Sequence, residues 1–349
     1  MVTKEKSYVI ILILFFSLTS IGNSVFAKKN CATSTFVILD TDMGNDIDDA
    51  LALDMLYKYM DMGNLKLLGI MINKDYRYSP EYIDIMSTWY GYHDIPIAAL
   101  KKGDSLRIDD KNYTKTVSEL KFNGKPMFER TVKNYNSLPQ PVKLYRKILS
   151  KQLNGSVTVI SIGFLTNLAE LLESEPDEFS PLNGKELVSK KVKLLSIMAG
   201  SFTPKPYAEY NVLMDIKSAQ KVFSVWPTNI VASPFELGDS IRYPGKSIEN
   251  DFTWAVNHPL VEGYKAYNPN SSYDRSTWDL TSVLYVYNPK KFGKSNPGTI
   301  SVDDKGCTHF VESKNGKHSF LTTSPKQRNS ILNYFVHLIP QKPAKYSKK

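Results

Sequence analysis

Between Asp40 and Asp49 the chain reads Asp-Thr-Asp-Met-Gly-Asn-Asp-Ile-Asp-Asp, which places five carboxylates in ten residues. Carboxylates this dense raise one another's pKa unless a cation or strong hydrogen bonds hold them ionised. The chain as a whole is basic, with 44 Lys and Arg against 35 Asp and Glu and a formal net charge of +9. The cluster is therefore local and not a drift of composition, and its hard oxygen ligands suit Ca²⁺ or Mg²⁺. It follows Phe36-Val37-Ile38-Leu39, apolar like a buried parallel strand, and it precedes a helical pattern over Ala50–Met60. The acidic run would then lie at the carboxyl end of a strand, where open α/β sheets place their ligand sites.

Two other metal-using patterns begin similarly. An EF-hand loop starting at Asp40 would meet Gly44 where a ligand belongs and Leu51 where a bidentate Glu is needed, so it is excluded. A haloacid-dehalogenase-like phosphatase also opens with Asp-x-Asp behind an apolar strand. Ser161 and Gly238-Asp239 imitate its later motifs, but no acidic residue follows Asp239 closely enough to complete a magnesium site. The pair Asp48-Asp49 has no purpose in that scheme, which stays an alternative of lower rank.

The elements that must position these residues alternate. Strand patterns fall at Thr35–Leu39, Leu65–Ile72, Ile95–Ala99, Val157–Ser161, Val192–Met198 and Asn229–Ser233. Helical patterns fall at Ala50–Met60, Pro80–Tyr90, Pro141–Gln152, Leu165–Ser174 and Ile216–Val225. This alternation predicts an α/β fold: an open, mainly parallel sheet with helices on both faces. The polar stretch Leu100 to Leu138 breaks the rhythm and reads as an excursion beside the site or an insertion. From Asp251 the pattern turns helical, at Asp251–Tyr267 and Thr277–Tyr287. A small antiparallel hairpin from Thr299–Val302 through His318–Thr322 follows, and then a last helix at Gln327–Leu338. With no repeat and no Gly-, Ser- or Pro-rich linker, residues 28–340 read as a single domain.

The ends read differently. Lys4 and Lys6, the apolar core Tyr8 to Leu18 and Val25-Phe26-Ala27 form a cleavable signal peptide over residues 1–27, cut after Ala27. The apolar core is shorter than the about 20 residues of a membrane span. A secreted or periplasmic protein without stable membrane association is expected. The lysines are scattered apart from the run Lys342 to Lys349, so no nucleic-acid partner is expected, and residues 341–349 read as a basic mobile tail. The two cysteines, Cys31 and Cys307, allow either one disulfide or two thiols.

The segment Val37-Ile38-Leu39-Asp40-Thr41-Asp42-Met43-Gly44, followed by Asp48-Asp49-Ala50-Leu51-Ala52-Leu53, resembles the N-terminal signature of nucleoside hydrolases of the inosine–uridine-preferring type. Gly163-Phe164-Leu165-Thr166-Asn167-Leu168-Ala169 is similar to that family's Gly-Pro-Leu-Thr-Asn-Leu-Ala turn. Met198-Ala199-Gly200, Ala208-Glu209-Tyr210-Asn211 and Asp215 resemble its Met-Gly-Gly and Ala-Glu-Phe-Asn segments, and Trp278-Asp279 resembles its late helix start.

The resemblance implies a Rossmann-like nucleoside hydrolase fold and a small nucleoside substrate, and it makes a homo-oligomer possible. It also implies a Ca²⁺ held by Asp42, Asp49, Asp279 and the carbonyl of Ile162. Cleavage of an N-glycosidic bond passes through an oxocarbenium-like cation and needs an activated water, so Asp42 would be the general base. Asp48 and Asn211 would hold ribose hydroxyls, with Asp279 beside them. Glu209 would reach the 5′-hydroxyl, and Met198 would lie under the sugar. Asp215 reads as a helix N-cap and Asp40 as a supporting group. A calcium-bound nucleoside- or sugar-binding protein without turnover is the alternative in another class.

Three departures from the family pattern stand out. Two extra residues separate Gly44 from Asp48-Asp49 and Met43 replaces a Pro, so Asp46 competes with Asp48 for a role. The second strand offers Asn73 or Asp75 as a site contact, with Asp75 slightly preferred. Trp278 stands where many relatives have a His, as in the purine-preferring subgroup, where stacking helps the base leave. Trp89 and Tyr207 are candidates for the opposite face of the base. None of the histidines, His93, His258, His309, His318 and His337, falls in a recognised motif.

Overall fold

The structure, a computed structural model, describes residues 34–101, 111–205, 207–268 and 273–347. The expected signal peptide and Cys31 lie outside the described residues, and Cys307 is half-buried.

Nine strands form the sheet that matters here: β1 (Thr35–Thr41), β2 (Leu65–Ile72), β3 (Ile97–Ala99), β4 (Val157–Ser161), β5 (Val192–Met198), β6 (Asn229–Ser233), β7 (Gly298–Val302), β8 (Thr308–Glu312) and β9 (His318–Thr322). Their order is β8-β7-β9-β6-β5-β4-β1-β2-β3, with Gly293–Lys294 pairing antiparallel beside β9. From β9 to β3 every neighbouring pair is parallel. The sheet is mostly parallel, as the alternation predicts.

Along β1 the core residues alternate. Val37 and Leu39 join one buried apolar cluster and Ile38 joins the other, so the strand is covered on both sides. Neighbours β2 and β4 flank β1 on opposite sides, which makes its carboxyl end a topological switch point. A crevice opens there because consecutive connections leave toward opposite faces.

Helices α1 (Asp48–Asp61), α2 (Tyr78–Tyr90), α3 (Tyr113–Glu119), α4 (Pro141–Ser150), α5 (Thr166–Glu173), α6 (Gly184–Lys191) and α7 (Ile216–Val225) belong to the alternating part. Helix α7 has the bounds its periodicity predicts, and Asp215 caps it by accepting from the Ser218 N–H at 3.1 Å. Later helices are α8 (Pro259–Tyr267), α9 (Trp278–Tyr287) and α10 (Pro325–Leu338). The helix expected over Asp251–Tyr267 is shorter, starting at Pro259 after a separate short helix Gly245–Asn250. Pro259 lacks an N–H and suits a first helical turn, and the residue before a proline is pushed out of helical geometry. The expected hairpin is also richer than a single turn. Strand β8 lies between β7 and β9 in sequence and pairs with β7 throughout, whereas β7 meets β9 only at Gly298 and His318.

The stretch Leu100 to Leu138 carries α3 and is fastened to α2. Asp84 accepts from the backbone N–H groups of Thr131 and Val132 and from the Tyr135 hydroxyl, and Arg130 pairs with Glu81. The end expected to be mobile packs down through its described residues. Lys345 Nζ donates to the carbonyls of Thr88 and Trp89 at 3.0 and 3.1 Å, and the Tyr346 ring packs at a tilt against Trp89, 4.7 Å between centroids. Those carbonyls end α2, where helical C=O groups lack intrahelical partners and favour a cation. No helix among the described residues is long and apolar enough to cross a membrane.

Candidate active site

Three carboxylates arrive at the switch point on helix starts. Asp48 and Asp49 form the first turn of α1, and Asp279 lies in the first turn of α9. Unpaired N–H groups and the helix dipole favour negative charge at such ends. Asp48 Oδ2 accepts from the Asp279 backbone N–H at 3.1 Å, which ties the two helix starts together across 231 residues. Asp49 accepts from the Thr41 hydroxyl at the end of β1. One carboxylate oxygen from each of Asp48, Asp49 and Asp279 can be chosen so that all lie within 4.8 Å of one another.

All three side chains are buried, and each carboxyl is raised well above its usual pKa, first by burial and then by its acidic neighbours. Such a set is costly as a group of bare anions and favourable around a divalent cation, which would hold the oxygens ionised. The donor set, all hard oxygen, fits Ca²⁺ or Mg²⁺, and the residues present therefore fit a metal.

Asp42 and Ile162, the other two expected ligands, follow β1 and β4 and line the same cavity of about 430 Å³. Gly163 explains how the two strand ends approach, because a Cβ there would sit 2.5 Å from the Asp42 backbone nitrogen. The cavity also takes in Met198, Glu209 and Asn211, with Phe235 and Trp278 as its aromatic wall.

Glu209 caps a five-residue helix and accepts from the N–H groups of Gly200 and Asn211 at 3.0 and 2.9 Å. Burial outweighs those bonds and raises its pKa to about 7. Asn211 Nδ2 donates to the Met198 carbonyl at 3.1 Å, which joins two of the expected sugar contacts.

Asp40 does not line the cavity. Buried inside β1, it accepts from Tyr145, Asn73 and Asn167 at 2.7, 2.6 and 3.1 Å. Burial raises its pKa to about 7 against those donors. It is a bracket that joins β1 to the ends of β2 and β4.

Neither candidate at the second strand, Asn73 or the slightly preferred Asp75, lines the cavity. Asn73 is spent on Asp40, while Asp75 lies half-buried and is not among the cavity-lining residues. Trp89 is also elsewhere, packed with Trp254, His258 and Tyr346. Tyr207 leans on Phe235 at 4.8 Å, at the edge of the wall. No histidine lines the cavity. His258 caps α8, and burial holds its pKa well below the usual value.

Arg275, Phe235, Asn45 and Lys74 had no individual signal in the sequence. Asp46, left without a task there, forms an ion pair with Arg275, whose guanidinium lies 5.0 Å over the Trp278 ring. Trp278 stacks with Phe235 at 5.4 Å and donates from Nε1 to the Phe235 carbonyl at 2.9 Å. Asn45 lines the cavity and donates to Asp42, and Lys74 donates to Asn45. The enlarged loop that holds Asn45 and Asp46 is pinned from α3: Gly44 N–H donates to the Tyr113 hydroxyl at 3.1 Å, and that hydroxyl donates to the Asp46 carbonyl at 2.9 Å.

Comparison with solved structures finds the same fold in a plant nucleoside hydrolase, at 19% identity and a TM-score of 0.66, covering 88% of this chain and 99% of that one. An inosine-uridine preferring nucleoside hydrolase from Bacillus anthracis matches at 17% identity and a TM-score of 0.62, with 88% and 99% covered. A purine-preferring ribonucleoside hydrolase from Gardnerella vaginalis matches at 14% identity and a TM-score of 0.64, again with 88% and 99% covered. No curated protein matches by sequence. The sequence model of the inosine-uridine preferring nucleoside hydrolase family matches residues 37–331, which takes in every residue of the acidic cavity. The chain belongs to the inosine-uridine preferring nucleoside hydrolase family and is an enzyme of nucleoside hydrolysis.

Proposed function

We propose that the protein is a calcium-dependent ribonucleoside hydrolase that prefers purines and releases free base and ribose. One observation carries the reading. A buried trio of carboxylates and Asp42 face the same cavity as Glu209, Asn211 and Met198, the expected sugar contacts, and the aromatic pair Phe235 and Trp278. Bound calcium supplies fixed positive charge that keeps the carboxylates ionised and orders the ribose diol.

Asp42 accepts the proton of the attacking water as the glycosidic bond opens. Asp48 and Asn211 accept and donate at the ribose hydroxyls, Glu209 takes the 5′-hydroxyl, and Met198 supports the sugar from beneath. Negative carboxylates around the ring stabilise the oxocarbenium-like charge that develops there. The leaving base meets an aromatic wall stiffened by the Arg275 guanidinium and not an acid from histidine. Of the similar structures, one is purine-preferring and another inosine-uridine preferring by name, so the preference proposed here rests on the wall. Export through the N-terminal segment, to the periplasm or the outside, is part of the same proposal.

The test incubates the protein with inosine, guanosine, uridine and a phosphate monoester, with and without a calcium chelator. Ribose release from the purine nucleosides that stops on chelation is the expected result. Phosphate release, or ribose release indifferent to chelation, would refute it.

A second measurement addresses the wall. Stacking on a base is worth ~1–3 kcal/mol, so Trp278→Ala should lower kcat/KM for inosine by about 10- to 100-fold. A riboside with an activated phenolic leaving group should lose much less. Equal losses on both substrates would remove the base-stacking role.

A further inference from the structure

Lys74 is the residue of this region that the catalytic scheme leaves unused. It stands two positions beyond β2, its side chain is only 2% exposed, and its Nζ donates to Asn45 Oδ1. Asn45 Nδ2 in turn donates to Asp42 Oδ2, and the Asn45 backbone N–H donates to the Asp42 carbonyl at 3.3 Å. The ammonium also bears on Asp49, whose carboxyl it draws back toward the ordinary range against burial and the Asp42 charge.

A buried ammonium is costly unless it is paired, and this one is held by Asn45 and bears on the Asp49 charge. Asn45 is itself held, because the loop around it is hung from Tyr113 through Gly44 and Asp46. The chain Lys74–Asn45–Asp42 therefore has one anchored cation at one end and the expected general base at the other.

We propose that Lys74 is a positioning residue and counter-ion of the site: through Asn45 it holds the Asp42 carboxylate in its working orientation, and its charge offsets part of the acidic cluster as those carboxyls ionise. The proposal rests on the hydrolase reading above. Ionised Asp42, Asp48, Asp49 and Asp279 bring four negative charges, and Lys74 reduces the local sum to three. Removing the ammonium strengthens the pull on a divalent cation and frees Asp42 to turn. Metal affinity and turnover then move in opposite directions. A lysine that merely filled space would, when removed, loosen the site and weaken both.

The experiment compares the whole protein with Lys74→Met, Asn45→Ala and the double variant. Calorimetry measures calcium affinity, and kcat and KM for inosine are measured at saturating calcium. Lys74→Met is expected to bind calcium about five- to ten-fold more tightly, from the Coulomb attraction of one uncompensated charge in a wet site. Its kcat should fall about 10- to 100-fold, the usual size of losing a group that orients a metal ligand, with KM less affected. Asn45→Ala should reproduce the kcat loss without tightening calcium binding, because it keeps the ammonium charge while it frees Asp42, itself an expected ligand. The double variant should be no slower than Lys74→Met, because both residues act through one relay.

Weaker calcium binding in Lys74→Met, kcat within two-fold of the parent, or additive losses would each overturn the proposal. If Lys74→Met does not fold, Asn45→Ala decides alone: an unchanged kcat overturns the relay and a selective kcat loss supports it. A parent protein that neither binds calcium nor releases ribose would overturn the hydrolase reading itself, and this proposal with it.

Discussion

Asp42→Asn is expected to lower kcat on inosine by about 1,000-fold at saturating calcium, with the fold intact. The amide keeps the volume of a side chain that is 3% exposed and keeps an oxygen for a metal, but it cannot take a proton from water. General-base catalysis contributes about 100- to 10,000-fold, so the loss corresponds to about 4 kcal/mol of transition-state stabilisation. The position explains why no neighbour substitutes. Asp48, Asp49 and Asp279 crowd one another on two helix starts, whereas Asp42 follows β1 and is reached by Asn45. Calcium affinity should weaken as well, so kcat must be read at saturation. If kcat at saturation stays within 10-fold of the parent, the proton acceptor is another group.

The second large effect concerns stability against pH in the absence of metal. Burial raises Asp40 and Glu209 to about 7 from 3.8 and 4.5, and it raises Asp48, Asp49 and Asp279 in the same direction. A carboxyl whose pKa is higher folded than unfolded binds its proton more tightly in the native state. Its contribution is fully present below pH 4 and is lost as pH rises through about 7.

Asp40 and Glu209, both fully buried, each account for on the order of 3 kcal/mol across that window. Chelated protein should therefore melt at a higher temperature at pH 5 than at pH 8. Calcium should flatten the curve by stabilising the ionised carboxylates, with its largest effect at the alkaline end. The check is a series of thermal melts from pH 5 to 8, with chelator and with calcium. Chelated protein that grows more stable over that range would contradict the buried-anion account.

Much of this architecture was legible one segment at a time. The runs that became β2, β4, β5 and β6 are short, apolar and bounded by polar turns, and they form strands with the predicted bounds. Asp215 caps α7 because an acidic residue before a helical pattern satisfies N–H groups only a few positions away. Errors came where a local pattern competed with chain geometry. Helical periodicity ran through the Pro259 boundary, where a residue without an N–H starts a new helix.

What residue order determined on its own was the kind of chemistry and the main scaffold: a dense set of oxygen ligands behind a buried strand, motifs in a family's order, and an alternation that can only build a parallel sheet. These properties depend on neighbours a few residues apart. The working division of the cluster depended on contacts across the whole chain. Asp48 meets Asp279 over 231 residues, Asp46 meets Arg275 over 229, and Asn45 meets Lys74 over 29. After β2, Asn73 donates to the buried Asp40 from 33 residues away. Electrostatic and packing energies depend on distance in space, and spacing along the chain does not encode which distant side chain will arrive. Five similar aspartates in ten residues thus became a bracket, a loop anchor and cavity-lining carboxylates only when the sheet brought the late helix and the second strand beside them.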